Sequence, residues 1–260
     1  MTILEKIISN KKKEVAALKE QSTLRALENS KLFSRATLSL SGFILNPIKS
    51  GIVAEFKRKS PSGGIINSHS MVEVVTKGYS CAGASGLSIL TDKMFFGGDC
   101  TDLLCAREHN DIPILRKEFI IDEFQVLESK AAGADAILLI AAVLDKEQVL
   151  ELASLSHSLN LEVLLEIHSL GELDKVNEYV NIIGVNNREL NTLTTNVRLS
   201  LELADKLPGE FVKISESGIS EPQMVIDLRN AGYNGFLIGE YFMSKPDPVA
   251  AFADFLKMIM

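Results

Sequence analysis

Short apolar runs recur along the chain at 51–56, 86–91, 112–116, 136–140, 161–167, 182–186, 211–215 and 235–238. Each is rich in Val, Ile and Leu and nearly continuous rather than alternating, as in a strand buried on both faces. The segments between them carry helical spacing. Val72, Val75 and Tyr79 share a stripe, as do Val149, Leu152 and Leu155, and Leu199, Leu203 and Leu207. Helix starts are expected at Asp122 with Gln125, at Asp145 with Gln148, and at Ser220 with Gln223 behind Pro222. Stops are expected at Gly83, Gly133, Gly209 and Gly232. Strands alternating with helices imply right-handed βαβ units and a parallel sheet. Eight such units without a linker predict an α/β fold, a single closed (β/α)8 barrel over 49–260. An open doubly wound sheet would show a glycine-rich turn after its first strand. Lys57-Arg58-Lys59-Ser60-Pro61 stands there instead.

Residues 1–48 lie outside the repeat. Ile3, Leu4, Ile7, Ile8, Val15 and Leu18 form an apolar stripe interrupted by Lys11, Lys12 and Lys13. This predicts an N-terminal helical extension packed on the barrel as a lid over one end, with a further short helix around 30–34. A basic amphipathic helix touching membrane or a partner is the alternative.

Chemistry in such barrels sits at the C-terminal ends of the strands. Six strand ends here carry polar groups where a buried strand should be apolar. Period two puts Val53, Glu55 and Lys57 on one face of the first strand and Ala54 and Phe56 on the other. Later ends bring Arg116-Lys117-Glu118, Glu166 with His168, Asn186-Asn187-Arg188, Ser215-Glu216-Ser217-Gly218 and Gly239-Glu240. Burying this many ionisable groups costs several kcal/mol each unless they are paired, so a catalytic and binding mouth explains them better than stability does. An outward-pointing role fits best for Glu118, His168 and Glu240. Backbone N–H groups near Ser217-Gly218 and Gly239-Glu240, with the Ser60 hydroxyl, suit a phosphate. Lys57, Lys117, Glu55 and Glu166 suit acid–base work, with the lysines expected at lowered pKa through mutual crowding and burial. A Schiff-base role for a lysine stays open.

Composition narrows the classes. The longest apolar run, 136–144, is too short to span a bilayer, which needs ~20 residues. The N-terminus does not read as a signal peptide. Cys81, Cys100 and Cys105 have no zinc-like spacing, and His69, His109, His157 and His168 form no metal-binding pair, so no metal is expected. Three reduced thiols in a cytoplasmic protein are expected. A net charge of −7 gives no footprint for nucleic acid, yet a local positive cluster can still hold an anionic small substrate.

The chain resembles the indole-3-glycerol-phosphate synthase family. The resemblance is carried by Ala54-Glu55-Phe56-Lys57-Arg58-Lys59-Ser60-Pro61-Ser62, Leu90-Thr91-Asp92 with Phe95-Phe96-Gly97-Gly98, and Arg116-Lys117-Glu118-Phe119-Ile120-Ile121-Asp122. It continues through Leu165-Glu166-Ile167-His168, Ile183-Gly184-Val185-Asn186-Asn187-Arg188, Glu216-Ser217-Gly218-Ile219 and Phe236-Leu237-Ile238-Gly239-Glu240, and the opening helix is similar too. The resemblance implies ring closure of 1-(2-carboxyphenylamino)-1-deoxyribulose 5-phosphate to indole-3-glycerol phosphate, with loss of carbon dioxide and water and no cofactor. It implies Lys117 as general acid and Glu166 in the dehydration. Glu55 would assist Lys57, which holds the carboxylate or acts as a second acid, while Asn186 and Arg188 orient the groups. Ser60, Ser217, Gly218, Gly239 and Glu240 would hold the phosphate, and Phe96, Phe119 and Leu138 the aryl ring. Two departures stand out. Glu118 replaces a more usual Asp, which is expected to lengthen a support contact to Lys117, and Asp99 replaces a small hydroxyl residue.

Phosphoribosylanthranilate isomerase chemistry is the runner-up, but it needs a Cys and Asp pair at strand ends. A Schiff-base aldolase and a silent phosphate-binding barrel are further alternatives. A monomer acting on a phosphorylated small molecule is expected, with a homodimer as the alternative and with no nucleic-acid or membrane partner.

Overall fold

The computed structural model describes residues 1–190 and 192–260. Among the described residues ten strands form: β1 (Ile52–Phe56), β2 (Lys59–Ser60), β3 (Gly64–Ile65), β4 (Gly86–Leu90), β5 (Ile114–Lys117), β6 (Ala136–Ile140), β7 (Glu162–Ile167), β8 (Ile182–Asn186), β9 (Val212–Glu216) and β10 (Gly235–Ile238). Eight of them close a parallel barrel in the order β1-β10-β9-β8-β7-β6-β5-β4, while β2 and β3 make a small antiparallel hairpin after β1. The predicted (β/α)8 barrel is therefore present.

Two apolar layers follow from the pleat. Val53, Leu115, Leu138, Leu164, Ile182, Ile214 and Leu237 fill the inside of the ring. Ala54, Phe56, Ile89, Ile137, Leu165, Ile183 and Phe236 face outward and pack under the helices with Val75, Tyr79, Val149 and Leu228. Above the inner layer the same face turns polar. Cα registers pair Glu55 with Ser88, Leu90 with Lys117, Ile140 with Glu166 and Asn186 with Glu216, placing these groups at one end of the ring.

Asp122 caps the helix Glu123–Ala131 by accepting from Phe124 N–H, and Asp145 forms the expected capping box with Gln148. The third start differs. Glu221 occupies the cap position before Pro222, without a side-chain cap bond, so Ser220 stays in the loop. Gly83, Gly133 and Gly232 take positive φ just past helix ends, as expected. Gly209 does not, because the chain leaves its 3-10 turn already at Leu207.

The extension engages both barrel ends. Helix α1 (Ile3–Gln21) starts from a capping box between Thr2 and Glu5, and its Ile3, Leu4 and Ile7 reach the polar mouth. Helix α2 (Leu24–Glu28) follows, and 30–34 forms turns rather than the expected short helix. There the Ser30 hydroxyl donates to the Ala131 carbonyl at 3.1 Å instead of capping a helix. Helix α3 (Leu40–Leu45) plugs the opposite end, inserting Leu40 and Ile44 among the inner residues. Gly235 makes this possible, since a Cβ there would stand 2.8 Å from Ile44 Cγ2. The fully buried Asp135 fastens the same segment. It accepts from Arg35 (2.6 Å) and Leu38 N–H (2.8 Å) through one oxygen and from Arg107 (2.9 Å) and Ile114 N–H (2.8 Å) through the other.

Candidate active site

A cavity of about 520 Å³ occupies the polar end, and every residue expected in an acid–base, orienting, phosphate or aryl role lines it, while Arg116, His168, Asn187 and Ser215 do not. They divide by arc. Phe96, Phe119 and Leu138 come from the β4, β5 and β6 side, where the two phenyl rings face each other with centroids 6.0 Å apart. Ser217 and Gly218 follow β9, Gly239 and Glu240 follow β10, and Ser60 follows β1, forming the opposite arc. Ser217 and Gly218 both adopt positive φ, which turns their backbone sharply at the cavity wall.

Between the arcs lies a charge cluster. Lys117 Nζ contacts a Glu216 oxygen and lies 3.2 Å from Glu166 Oε2. Lys57 Nζ pairs with Glu55 Oε1 at 3.0 Å, and Ser88 donates to the other Glu55 oxygen at 3.1 Å. Asn186 bonds the Glu166 carboxylate and accepts from Arg188 N–H at 3.0 Å. Arg188 reaches away from the lysines. It donates to Glu240 at 2.8 Å and to the Ser62 hydroxyl, tying the loop after β1 to the end of β10.

The lowered lysine pKa expected from crowding does not hold for Lys117. Burial alone would lower it, but Glu216, Glu166 and Glu55 outweigh burial and raise it above the usual lysine range. Crowding by another lysine is not what surrounds this amine; carboxylates are. Such an ammonium is a poor Schiff-base nucleophile, because that role needs the free amine. Burial would likewise raise Glu166, yet Lys117, His168 and the Asn186 bond hold it below its ordinary value. Glu216 goes the other way. Burial, with repulsion from Glu166 and Glu55, pushes it up to about 7 against the pull of Lys117.

Glu216 was not singled out from the sequence as a site residue, although it touches the proposed acid. The signal was available: Val212, Ile214 and Glu216 alternate onto one face of a buried strand, as Val53 and Glu55 do. Gly184 gives its carboxylate room, since a Cβ at that position would collide with Glu216 Oε1.

Two outward readings are corrected. Glu118 is buried and accepts from Thr91 (2.7 Å) and Phe119 N–H (2.8 Å), with Lys11 Nζ 2.9 Å away. These partners absorb both of its oxygens, so it does not support Lys117 directly. His168 turns inward, its Nε2 3.6 Å from Glu166 Oε1 and its ring nitrogens buried without hydrogen-bond partners. Glu240 is partly exposed and paired with Arg188. Asp99 stands outside the cavity and caps the helix Cys100–His109, accepting from Thr101 N–H, a task a small hydroxyl residue also performs.

No group of His, Cys, Asp and Glu able to hold a metal occurs among the described residues, and no described helix is long and apolar enough to cross a membrane. The three cysteines are free.

The profile of the family described as indole-3-glycerol phosphate synthase matches residues 4–255. Proteins of that name from Bacteroides thetaiotaomicron, Laribacter hongkongensis and Burkholderia multivorans are 49%, 40% and 39% identical to the chain. The alignments cover 99%, 96% and 95% of this chain and 98%, 97% and 95% of theirs. Tryptophan synthase subunit alpha from Legionella pneumophila superposes with a TM-score of 0.61 at 15% identity, over 86% of this chain and 97% of that one. That likeness concerns the fold alone.

Proposed function

The chain belongs to the indole-3-glycerol phosphate synthase family, and from that premise we propose how its mouth performs the reaction. Its class is that of a carboxy-lyase of tryptophan biosynthesis. The substrate is 1-(2-carboxyphenylamino)-1-deoxyribulose 5-phosphate. Its aryl ring packs against the apolar wall of Phe96, Phe119 and Leu138, and its phosphate lies on the arc of Ser60, Ser217, Gly218, Gly239 and Glu240. Binding across the mouth places the ribulose carbonyl above Lys117. The position of that ammonium between the two arcs, in contact with Glu216 and 3.2 Å from Glu166, is the observation that carries the reading.

The aryl carbon bearing the carboxylate attacks the carbonyl carbon, and the carbonyl electron pair moves onto oxygen. Lys117 protonates that oxygen. A strongly held ammonium can still do so, because an alkoxide is more basic than any amine, and a fixed cation stabilises the developing charge in a site that excludes water. The carboxylate departs as carbon dioxide, leaving its bonding pair to restore the aromatic ring. Lys57, steadied by Glu55, holds this carboxylate until it leaves. Dehydration then removes the new hydroxyl and a proton from the neighbouring carbon, with Glu166 serving the proton transfer. Closure, decarboxylation and dehydration together consume one proton. Glu216, titrating near neutrality beside Lys117, is placed to return it. Asn186 orients Glu166, and Arg188 acts on the phosphate side by joining Ser62 to Glu240.

The site is complete within one chain, which supports a monomer, and the free thiols are consistent with a cytoplasmic enzyme. Residues 1–48 are read as part of the same folding unit as the barrel. The test follows indole absorbance when purified protein and substrate are mixed without metal. Wild-type turnover is expected, and Lys117→Ala should lose ~10²-fold or more while inorganic phosphate affinity changes little. Absence of wild-type turnover sinks the synthase reading. Equal loss of binding and turnover in the variant makes Lys117 a binding residue.

A further inference from the structure

Of the three lysines that interrupt the apolar stripe of α1, only Lys11 is buried. Its ammonium lies 2.6 Å from Glu14 Oε2, 3.0 Å from Asp92 Oδ2 and 2.9 Å from Glu118 Oε1. Burial opposes its charge, but Glu118 and Asp92 outweigh burial and raise its pKa, so the cation persists. A buried ammonium is tolerated only where carboxylates match it. Two of these carboxylates belong to loops that build the mouth.

Asp92 follows β4. Its Oδ1 accepts from Phe95 N–H at 2.7 Å and Phe96 N–H at 3.3 Å, fixing the turn that carries Phe96. Its Oδ2 has no hydrogen-bond donor and faces Lys11 as an ion pair. Glu118 follows Lys117. Its Oε1 takes both Lys11 and Phe119 N–H, and its Oε2 takes the Thr91 hydroxyl from the end of β4. One charge on α1 thus grips the loops that present Phe96 and Phe119 to each other, immediately beside the proposed acid. Lys11 itself does not line the cavity, so it acts through these loops.

We propose that Lys11 is a positioning residue for the aryl slot, setting the separation of the Asp92 and Glu118 loops so that the carboxyphenyl ring enters in line with Lys117. The proposal deepens the synthase reading and rests on it. The phosphate arc lies across the barrel on β9, β10 and β1, so inorganic phosphate serves as an internal control.

The test uses full-length Lys11→Met and Lys11→Arg, with steady-state kinetics on the carboxyphenylamino substrate and inhibition by inorganic phosphate. Wild-type turnover in the same assay separates failure of the synthase reading from failure of this one. Misplacement on the scale of an ångström costs up to ~10²-fold, so Lys11→Met should lose ~10–10²-fold in kcat/KM while phosphate inhibition stays within about twofold. Lys11→Arg restores the cation and should recover most of the loss. If Lys11→Met leaves too much unpaired charge to fold, Lys11→Met with Glu118→Gln removes part of it and should show the same kinetic defect. A kcat/KM within about threefold of wild type in a folded Met variant overturns the proposal, as does a parallel loss of phosphate affinity.

Discussion

Adding one methyl group at Gly184 tests whether the Lys117–Glu216 contact governs turnover. Gly184 lies on β8 with its missing side chain on the inner face, between Glu216 of β9 and Leu164 of β7. A Cβ there would stand 3.3 Å from Glu216 Cδ and 3.0 Å from Leu164 Cδ1, and would overlap Glu216 Oε1 outright. Restoring ordinary contact needs the carboxylate oxygen to retreat by about 1 Å. The atom that must yield is the end of a side chain, and Gly184 is not among the positive-φ glycines. The strain should therefore fall on the site more than on the fold, with roughly 1–3 kcal/mol of stability lost to overpacking. Displacing Glu216 disturbs the contact with Lys117 on which the proposed proton return depends, and a misplacement of this size costs up to ~10²-fold in rate. Gly184→Ala should lower kcat by ~10–10²-fold in the indole absorbance assay. KM should move little, because the end of the Glu216 side chain yields and not the backbone that carries Ser217 and Gly218. Urea titration establishes that the variant is folded at the assay temperature. A folded Gly184→Ala protein with kcat within about twofold of wild type refutes the reasoning, since the carboxylate would then be displaced without consequence.

Two further perturbations separate charge from packing. Glu216 binds its proton more tightly folded than unfolded, about 7 against ~4.3. Its contribution therefore favours the fold fully below pH ~4 and is lost as pH rises through about 7. Glu216→Gln carries no such titration, so its stability relative to wild type should rise by roughly 3 kcal/mol between pH 4 and 8 in urea unfolding; parallel pH curves for the two proteins contradict this. At the opposite end of the barrel, Asp135→Ala strands two arginines and two backbone N–H groups, and should cost about 3–5 kcal/mol in the same experiment while leaving kcat of the folded protein unchanged. A loss under about 1 kcal/mol would show that this carboxylate does not fasten the extension.

The barrel was legible because a strand sealed on both faces leaves a continuous apolar run that few other structures produce. The runs 136–140, 182–186 and 235–238 coincide with β6, β8 and β10. Others shift by a residue or two, as 112–116 does against Ile114–Lys117, because ladder partners and not composition decide where pairing begins. The polar strand ends led to the cavity for the same reason: Glu55, Lys117, Glu166 and Glu216 continue the parity of Val53, Leu115, Leu164 and Ile214 below them. What escaped was whatever depends on distance across the ring. The proton affinity of Lys117 depends on Glu166 and Glu216, which lie 49 and 99 residues away in sequence. In sequence Lys11 is one of three consecutive lysines interrupting an apolar stripe and Glu118 fits an outward position, yet the two are buried against each other. At 30–34 turns replace the expected short helix, and the flanking side chains of Ser30 and Arg35 donate across to the carbonyls of Ala131 and Gly133, contacts with residues about a hundred positions further on.

The plug made by α3 bears on the order in which the protein matures. Leu40 and Ile44 leave the ribosome before any barrel strand, yet their seat is assembled from Val53 near the start of the ring and Ile214 and Leu237 near its close. Until β10 pairs with β1, these two side chains have no finished surface to enter, and an incomplete chain displays them to water. Such exposed apolar surface favours aggregation and recognition by chaperones and proteases. The bottom of the barrel thus acts as a completion check: a nascent chain hides Leu40 and Ile44 only after its last strand has arrived.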